Sequence, residues 1–460
     1  MNWNSPKITF AILASIVFLN PCSGCGCNHS GGNNGGNMLP PSAPPAWAKS
    51  YRGSAQDTVS TIQPTADGGY ILGGTTASWG AGMNDLWMMK LAADGAVEWQ
   101  KAYGGSASDT LSSIRQTSDG GYIVAASTDS FGAGNTDAWV LKLSSTGGIT
   151  WQFAFGGAAY DCANDARQTS DGGYIVCGAT ESFGAGSRDA WVLKLDTNGT
   201  ILWQKTYGTA AFEQVFQVWE LPGGGYALGG ELSPAPGNAY NAWLLKLASD
   251  GTIASQKSYG GITADYTTTL FPTSDGGFLL AGNLDIGIGV LTAGVYKIDS
   301  LGALSWARAF YDLTYPSFGQ SIIESASGQY MFLGTAYQVG QGYQCWLANL
   351  NTDGSTAWQK VYGLSAADFG ISIAETPDGG FVVASNTMSF GPGDYDAWVL
   401  KTLPSGDLAP LSSTFNLAVN PLTGSTVNTP SAASATSAAT VTVTAATVTD
   451  TMATVAQQVP

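Results

Sequence analysis

The sequence is poor in charged residues and in histidine. Charged residues make up 11% of the 460 positions, and 33 acidic residues against 17 basic ones give a formal net charge of -16. Such an excess repels the phosphate backbone of nucleic acids, so we expect no nucleic-acid partner. His29 is the only histidine and lies in a Gly- and Asn-rich segment. A Ser-His or Cys-His catalytic pair is therefore not expected in the folded domain.

Cysteine is also scarce, and its spacing shows no disulfide framework. Three of the six cysteines lie within the first 27 residues, and Cys162, Cys177 and Cys345 are scattered later. A hairpin turn at Asp171-Gly172 would pair residue 162 with residue 181, which keeps the sulfurs of Cys162 and Cys177 too far apart to bond. We predict that these three cysteines are small buried apolar residues.

The N-terminal apolar run is too short for a membrane span. It covers residues 8–19, follows Lys7, and has 12 residues where a spanning helix needs about 20. We predict a secretory signal within residues 1–27. No Cys-x-x-Cys-His haem motif is present, because Gly26 follows Cys25. Residues 28–46 are predicted to be a flexible Gly/Asn/Pro tether.

The cysteines that follow the apolar run resemble those of a bacterial lipoprotein signal, in which small residues precede a lipidated cysteine. Cys25 follows Ser23-Gly24, and Cys22 has Leu19 three residues before it. The resemblance implies lipidation of Cys25 or Cys22, export across the inner membrane, and a lipid anchor in the outer membrane or on the cell surface. Secretion without an anchor is the alternative.

A unit of 52 residues, once 51, repeats from Trp47 onward. Each copy has four short apolar stretches separated by Gly-rich turns, which we label strands A to D. Four strands in a repeat of this length indicate a propeller blade. The fold class predicted is all-β: a seven-bladed β-propeller of four-stranded antiparallel blades over residues 47–410, which we expect to be a monomer. Residues 411–460 form a Ser/Thr/Ala/Val-rich low-complexity tail that we predict to be an extended appendage.

The number of D segments predicts how the ring closes. Strands A, B and C each occur seven times, but the D position occurs eight times, at Trp47, Trp99, Trp151, Trp203, Ser255, Trp306, Trp358 and Pro410. Proline cannot donate a backbone hydrogen bond to a sheet. We therefore predict that residues 46–52 supply strand D of blade 7, which removes the open edges of the array.

Two further resemblances concern the blades. Residues 195–204, LDTNGTILWQ, resemble the quinoprotein (PQQ-like) repeat, which implies this blade type and also a similarity to propeller lipoproteins of bacterial outer-membrane assembly. The spacing from Asp196 to Gly199 is one residue shorter than in that family, and we expect no cofactor. Residues 351–358 approximate the Asp-box turn of sialidases. The repeats contain five arginines, which we read as lying at unrelated repeat positions, so no sialidase arginine cluster is predicted.

Two series of acidic residues recur at fixed repeat positions. The first precedes strand A and comprises Asp57, Asp109, Asp161, Glu213, Asp265 and Asp368. The second opens strand C and comprises Asp85, Asp137, Asp189 and Asp396. Since the D–A and B–C loops of a propeller emerge on one face, we expect both series on that face. In one interpretation, each acidic residue accepts backbone N–H groups of its own loop. In the other, the series binds a cation or a basic partner. The absence of a D-x-D-x-D loop argues against calcium, and no metal site is assigned.

The B–C loops divide the ring into two halves. Copies seven, one, two and three share Ser, an aromatic residue, Gly and Asp, whereas copies four to six do not. The shared aromatic residues either stack on sugars or pack beneath their own loops; they are Trp79, Phe131, Phe183 and Phe390.

The function predicted is non-enzymatic: a cell-surface or envelope binding or scaffold propeller whose loop face engages a protein or carbohydrate partner. One alternative is a glycoside hydrolase or other propeller enzyme that uses inner-ring carboxylates. The other is a cation-binding or lectin-like propeller.

Overall fold

A computed structural model describes residues 46–233, 240–260, 265–284, 291–312, 314–390 and 394–408, together with the backbone of five short strands between 412 and 457. All regular elements among these residues are β-strands. None of the described residues belongs to a helix that could cross a membrane. The calls on Cys22, Cys25 and the tether to residue 45 fall outside the described residues.

Twenty-eight strands form seven four-stranded antiparallel sheets. Blade 1 contains β2 (Asp57–Pro64), β3 (Tyr70–Thr76), β4 (Asp85–Leu91) and β5 (Val97–Gly104). Blade 2 contains β6 (Asp109–Gln116), β7 (Tyr122–Thr128), β8 (Asp137–Leu143) and β9 (Ile149–Gly156). Blade 3 contains β10 (Asp161–Gln168), β11 (Tyr174–Thr180), β12 (Asp189–Leu195) and β13 (Ile201–Tyr207). Blade 4 contains β14 (Glu213–Glu220), β15 (Tyr226–Leu232), β16 (Asn241–Leu247) and β17 (Ile253–Tyr259).

The remaining blades follow in chain order. Blade 5 contains β18 (Tyr266–Pro272), β19 (Phe278–Leu284), β20 (Thr292–Ile298) and β21 (Leu304–Tyr311). Blade 6 contains β22 (Ser317–Glu324), β23 (Tyr330–Gln338), β24 (Gly342–Leu350) and β25 (Thr356–Tyr362). Blade 7 contains β26 (Asp368–Glu375), β27 (Phe381–Thr387) and β28 (Asp396–Thr402), with β1 (Trp47–Tyr51) as its fourth strand.

The ring closes as the surplus D segment predicts. Strand β1 pairs antiparallel with β28, and the register joins Trp47 to Lys401 and Tyr51 to Ala397. Each blade has its A strand at one edge and its D strand at the other. The fold class, a seven-bladed β-propeller of four-stranded blades, is confirmed.

Tryptophans of the C strands fill the space between blades. All six are at most 2% exposed: Trp87, Trp139, Trp191, Trp243, Trp346 and Trp398. Blade 5 has Gly294 at this position, and the side chain of Leu284 occupies the space that a Cβ of Gly294 would enter. The three described cysteines are buried and free of disulfides, as predicted.

The A–B turns use the Asp-Gly pairs that the sequence indicates. In blade 2, Oδ1 of Asp119 accepts the N–H of Gly121 at 3.0 Å, and Gly120 adopts a φ of +79°, which favours glycine. Nζ of Lys142, from the C strand of the same blade, lies 2.8 Å from Oδ2 of Asp119. The aliphatic part of Lys142 is thus buried, and its ammonium charge is neutralised by Asp119 at the surface.

In blades 3 and 4, for example, the last residue of the A strand hydrogen-bonds to the A–B turn of the preceding blade. Oε1 of Gln168 accepts the N–H of Ser118 in the preceding turn at 2.8 Å, and Glu220 accepts the N–H of Ser170 at 2.7 Å. The A–B turns are therefore linked around one end of the ring.

Five strands of the tail extend the outer edges of blades. They are β29 (Ser412–Thr414), β30 (Ala418–Pro421), β31 (Val427–Asn428), β32 (Thr447–Asp450) and β33 (Thr454–Gln457). Each pairs antiparallel with a D strand, in blades 6, 5, 4, 2 and 1 respectively. The tail backbone thus covers outer edges that would otherwise be unpaired.

Candidate functional site

The loop face is the end of the propeller where the D–A and B–C loops emerge, and the turn face is the opposite end. The first acidic series lies at the start of the A strands on the loop face, and its members are buried: Asp57, Asp109, Asp161, Glu213, Asp265 and Asp368. Oδ2 of Asp109 accepts the N–H of Gly105 and the hydroxyl of Ser130, both at 2.8 Å. The hydroxyl of Thr128 donates to Oδ1 of Asp109. These carboxylates therefore hold the loops together from beneath the face.

The second series opens the C strands and is buried as well: Asp85, Asp137, Asp189 and Asp396. Oδ2 of Asp137 accepts the N–H groups of Ala133 at 3.1 Å and Gly134 at 3.2 Å. Oδ1 of Asp137 has no hydrogen-bond partner, and one buried oxygen of Asp85 and one of Asp396 are in the same situation.

The two acidic series meet between neighbouring blades. A Cβ added at Gly156 would lie 1.9 Å from Oδ1 of Asp137 and 2.9 Å from Oδ2 of Asp161, so the two oxygens face each other across the space that glycine leaves open. Burial raises the pKa of Asp137, and the charge of Asp161 adds to the shift. Two carboxylates this close cannot both ionise without strong repulsion. The charge of Asp161 therefore disfavours the ionised form of Asp137.

Among the residues that the structure describes, acid pairs at these blade interfaces lie in the regular half, which consists of blades 7, 1, 2 and 3. The interfaces that these blades make with the following blade contain Asp396 with Asp57, Asp85 with Asp109, Asp137 with Asp161, and Asp189 with Glu213. Burial raises the pKa of Glu213 to about 7, and the charge of Asp189 contributes. The divergent half, blades 4, 5 and 6, has Asn241 with Asp265, Thr292 beside Ser317, and Gln344 with Asp368.

The four predicted aromatic platforms pack against their own blades. Each ring lies beside the C-strand tryptophan of its blade, with ring centroids 4.7 to 5.8 Å apart: Trp79 on Trp87, Phe131 on Trp139, Phe183 on Trp191, and Phe390 on Trp398. All four rings are half-buried. This arrangement matches the alternative in which the rings pack beneath their loops.

A larger aromatic group, which the sequence analysis missed, lies on the loop face of blades 6 and 7. We call it the tyrosine patch, and it consists of Tyr315, Phe318, Tyr337, Tyr343, Phe369 and Tyr395, all half-buried. Tyr315 stacks on Tyr337 with centroids 3.9 Å apart, and Tyr343 stacks on Phe369 at 6.0 Å. Tyr337 and Tyr343 lie 5.3 Å apart in an edge contact, so the rings form one continuous group.

The centre of the ring contains a cavity of about 540 Å³. The A strands of all seven blades line it, and each of these strands carries a β-bulge. In blade 2 the bulge brings Ser112 and Ser113 to the wall, and in blade 3 it brings Asn164 and Asp165. The bulges therefore give the cavity a wall rich in polar side chains.

One charged cluster lies in this cavity, and we call it the arginine pair: Arg115 and Arg167. Nε of Arg115 lies 3.0 Å from Oδ1 of Asp165, and Nε of Arg167 lies 2.9 Å from Oδ2 of Asp165. The guanidinium of Arg167 also lies 3.4 Å from the ring centroid of Trp219. The two arginines thus flank one buried carboxylate.

The reading of the arginines as unrelated in repeat position was wrong for this pair. Arg115 and Arg167 are both the last but one residue of an A strand, in adjacent blades. Their separation of one repeat was the signal in the sequence. The described residues contain no group of three or more His, Cys, Asp and Glu side chains that could hold a metal ion.

Comparison with known proteins finds likeness at the level of fold. No protein-family model and no curated protein sequence matches the chain. Among solved structures, a Drosophila plexin A bound to a semaphorin is 9% identical, with 78% of this chain and 88% of that chain covered and a TM-score of 0.43. A Dyadobacter fermentans protein of unknown function is 10% identical, with coverages of 77% and 97% and a TM-score of 0.44. A sialidase from Streptococcus pneumoniae is 11% identical, with coverages of 79% and 71% and a TM-score of 0.42. These values carry no argument about function.

Proposed function

We propose that the protein is a non-enzymatic binding propeller whose loop face binds a carbohydrate through the tyrosine patch. The single observation that carries this proposal is the continuous group of six half-buried rings on blades 6 and 7. Aromatic rings on a surface combine a large apolar area with a polar edge, and contiguous apolar patches on soluble proteins mark interaction sites.

The composition of the patch favours a sugar. Four of the six rings are tyrosines, whose hydroxyls can hydrogen-bond to a sugar while the ring faces cover its C–H groups. A neutral polysaccharide carries no charge, so the net charge of -16 does not oppose its approach. By contrast, the acidic series suggested for the loop face lies beneath its surface.

The test is binding of a panel of neutral and acidic polysaccharides to the wild-type protein and to Tyr337→Ala. We expect saturable binding of at least one neutral polysaccharide and a loss of tenfold or more in Tyr337→Ala. The matched control is Leu301→Ala, which removes an apolar residue that is 82% exposed in a C–D turn on the turn face. Equal binding by Tyr337→Ala and the wild type would contradict the proposal, as would the absence of any polysaccharide ligand.

The lipid anchor belongs to the same proposal, because it would hold a surface binder at the envelope. We propose that Cys25, or Cys22 in its place, is acylated after export. Incorporation of a radiolabelled fatty acid should be lost in Cys25→Ser or in Cys22→Ser, and the protein should then leave the membrane fraction. Unchanged labelling in both variants would contradict the assignment.

The hydrolase alternative requires two carboxylates in an open pocket. The acid pairs described above lie buried between blades, and the acidic residues that line the central cavity are Asp165, Glu324 and Glu375. The alternative stays a hypothesis.

A further inference from the structure

The arginine pair lies in the central cavity towards the turn face, away from the tyrosine patch. Asp165 is 1% exposed, whereas the side chains of Arg115 and Arg167 are 18% and 13% exposed in the cavity that they line. Both arginines use Nε for Asp165. Their four terminal amino groups make no hydrogen bond to another described residue, so these donors can serve a ligand.

The charges of this cluster do not cancel. Burial alone would raise the pKa of Asp165, but the charges of Arg115 and Arg167 hold it below its usual range, so the carboxylate is ionised. Two guanidinium cations against one carboxylate leave one net positive charge in this cluster, while Glu324 and Glu375 add two carboxylates to the lining of the cavity. A ligand with one negative charge would balance it, and a planar carboxylate matches the paired donors of a guanidinium.

Neighbouring side chains fix the position of the cluster. Arg167 lies flat on Trp219, and Nε1 of Trp219 donates to the carbonyl of Leu270 at 2.9 Å. Trp219 also makes an edge contact with Phe271, with centroids 5.4 Å apart. The donors are therefore held in place before a ligand binds, which lowers the entropy that binding costs.

The rest of this layer of the cavity is apolar except in blade 1, where Gln63 occupies the position. The residues at the same A-strand position in blades 5, 6 and 7 are Phe271, Ile323 and Ala374, and all three line the cavity. At the rim, the carboxylates of Glu324 and Glu375 accept backbone N–H groups of Ser274 and Ala326 at 2.5 and 2.7 Å. These negative charges repel a polyanion more strongly than a monoanion.

We propose that the turn-face end of the central cavity binds a small monocarboxylate with an apolar body. The carboxylate is held by the terminal amino groups of Arg115 and Arg167, and the apolar body lies against Trp219, Phe271 and Ile323. The cavity volume of about 540 Å³ is in the range of small-molecule sites. This site is independent of the carbohydrate proposal, because its residues lie at the turn-face ends of the A strands, whereas the tyrosine patch lies on the loop face; on β22, Ile323 and Phe318 are near opposite ends of the strand.

The experiment is calorimetric titration of the full-length protein with phenylacetate and with phenylacetamide, which has the same shape but no charge. We expect saturable binding of phenylacetate with a Kd on the order of 0.1 to 1 mM, weakened by added salt, and at least tenfold weaker binding of phenylacetamide.

The deciding variant is Arg115→Gln, which leaves Asp165 paired with Arg167 and so avoids an orphaned buried charge. It should bind phenylacetate at least tenfold more weakly, with an unchanged melting temperature within a few degrees. Arg308→Gln, in the D strand of blade 5, is the matched control and should bind as the wild type does. Crystals soaked in 4-bromophenylacetate should show the bromine beside Trp219.

Three results would overturn the proposal: no saturable binding of phenylacetate, equal affinity for the acid and the amide, or wild-type affinity in Arg115→Gln. Tyr337→Ala should leave phenylacetate binding unchanged. Failure of this site and failure of the tyrosine patch are therefore separate outcomes.

Discussion

The regular half and the divergent half of the ring place different side chains at the same interface between neighbouring blades. In the regular half, each C strand begins with an aspartate that faces a buried acid of the next blade, as Asp137 faces Asp161. In the divergent half, Asn241, Thr292 and Gln344 occupy these C-strand positions. The blades themselves keep four strands in both halves. The propeller therefore does not need the second carboxylate, and its presence makes the stability of the regular half depend on pH.

The aromatic residues on the loop face also differ between the two halves. The loop aromatics of the regular half pack on their own tryptophans, whereas the tyrosine patch begins in blade 6 and continues into blade 7. The shorter B–C hairpin of blade 6, between Gln338 and Gly342, brings Tyr337 and Tyr343 together. In the regular half each loop aromatic thus contacts a tryptophan of its own blade, whereas in blade 6 the short hairpin joins aromatic rings to one another.

The largest effect expected is the loss of a regular-half tryptophan. Trp139 is fully buried, and its replacement by alanine should lower the free energy of unfolding by about 3 to 5 kcal/mol, because the cavity cannot collapse. Blade 5 tolerates Gly294 at this position only because Leu284 fills the space. Urea unfolding measures the difference. A loss below about 1 kcal/mol would show that the regular blades can also repack.

The next effect lies at Glu213, where the regular half meets the divergent half. Its pKa in the folded state is about 7, above the value of 4.5 in the unfolded chain. A raised folded pKa stabilises the protein while the group is protonated, and this contribution is lost as pH rises through about 7. The loss accumulates between the unfolded value of 4.5 and about 7, and it amounts to at most about 3.5 kcal/mol, at about 1.4 kcal/mol for each pKa unit.

The measurement is urea unfolding at pH 5.5 and pH 8.5 for the wild type and Glu213→Gln. The glutamine should flatten the pH dependence, because it cannot ionise. An identical slope in both proteins would mean that another group dominates this range.

A smaller effect should follow from giving the regular half the chemistry of the divergent half. Asp137→Asn copies Asn241, and the amide can donate to Asp161 where two carboxylates now compete. Since the pKa of Asp137 is raised above its unfolded value of 3.8, its destabilising effect is absent below that value, grows as pH rises towards the folded pKa, and is constant above it. The variant should gain about 1 kcal/mol at pH 8 and nothing at pH 3.

The matched control for that variant is Asp161→Asn. It should lose stability, because Asp161 accepts the N–H of Gly157 and the hydroxyl of Ser182, both at 2.7 Å, and an amide is a weaker acceptor. If Asp137→Asn lost stability to the same extent, the expectation that Asp137 and Asp161 contribute differently to the free energy of unfolding would be refuted.

The smallest effect concerns the A–B turns. Lys142 bridges to Asp119 in the regular half, whereas blade 6 has a neutral contact, with Nδ2 of Asn349 donating to Gln329 at 3.1 Å. Asp119 is largely exposed, so Asp119→Asn should cost less than about 1 kcal/mol, and added salt should diminish the difference. Melting temperatures at low and high salt measure this. A large, salt-independent loss would indicate that the turn depends on Asp119 for its backbone contacts.

Much of the fold could be predicted from the sequence because the information is local and repeated. Tryptophan spacing, Gly turns and the surplus D segment led to the blade type and to the place of residues 46–52. The interfaces could not be predicted in the same way. The sequence placed Asp137 and Asp161 on one face, but only the fold shows that residues of consecutive blades meet below it.

The arginine pair and the tyrosine patch were not predicted from the sequence, for two different physical reasons. Arg115 and Arg167 do share a repeat position, but the carboxylate that unites them, Asp165, has no acidic counterpart in the other copies. Four rings of the tyrosine patch share repeat positions in pairs, Phe318 with Phe369 and Tyr343 with Tyr395, but only the fold shows that these rings meet in one group.

The pairing of β1 with β28 has a consequence for the order in which the protein acquires its structure. Residues 47–51 leave the ribosome first but find their partners, residues 397–401, only when the last blade exists. Until then, β1 has no partner strand, and the edge of the sheet with which it pairs is absent or unpaired. Pairing of the two strands must also overcome the entropic cost of closing a loop of about 350 residues. Completion of the ring is therefore a late event in folding, and a chain truncated before blade 7 would expose both seams to other chains.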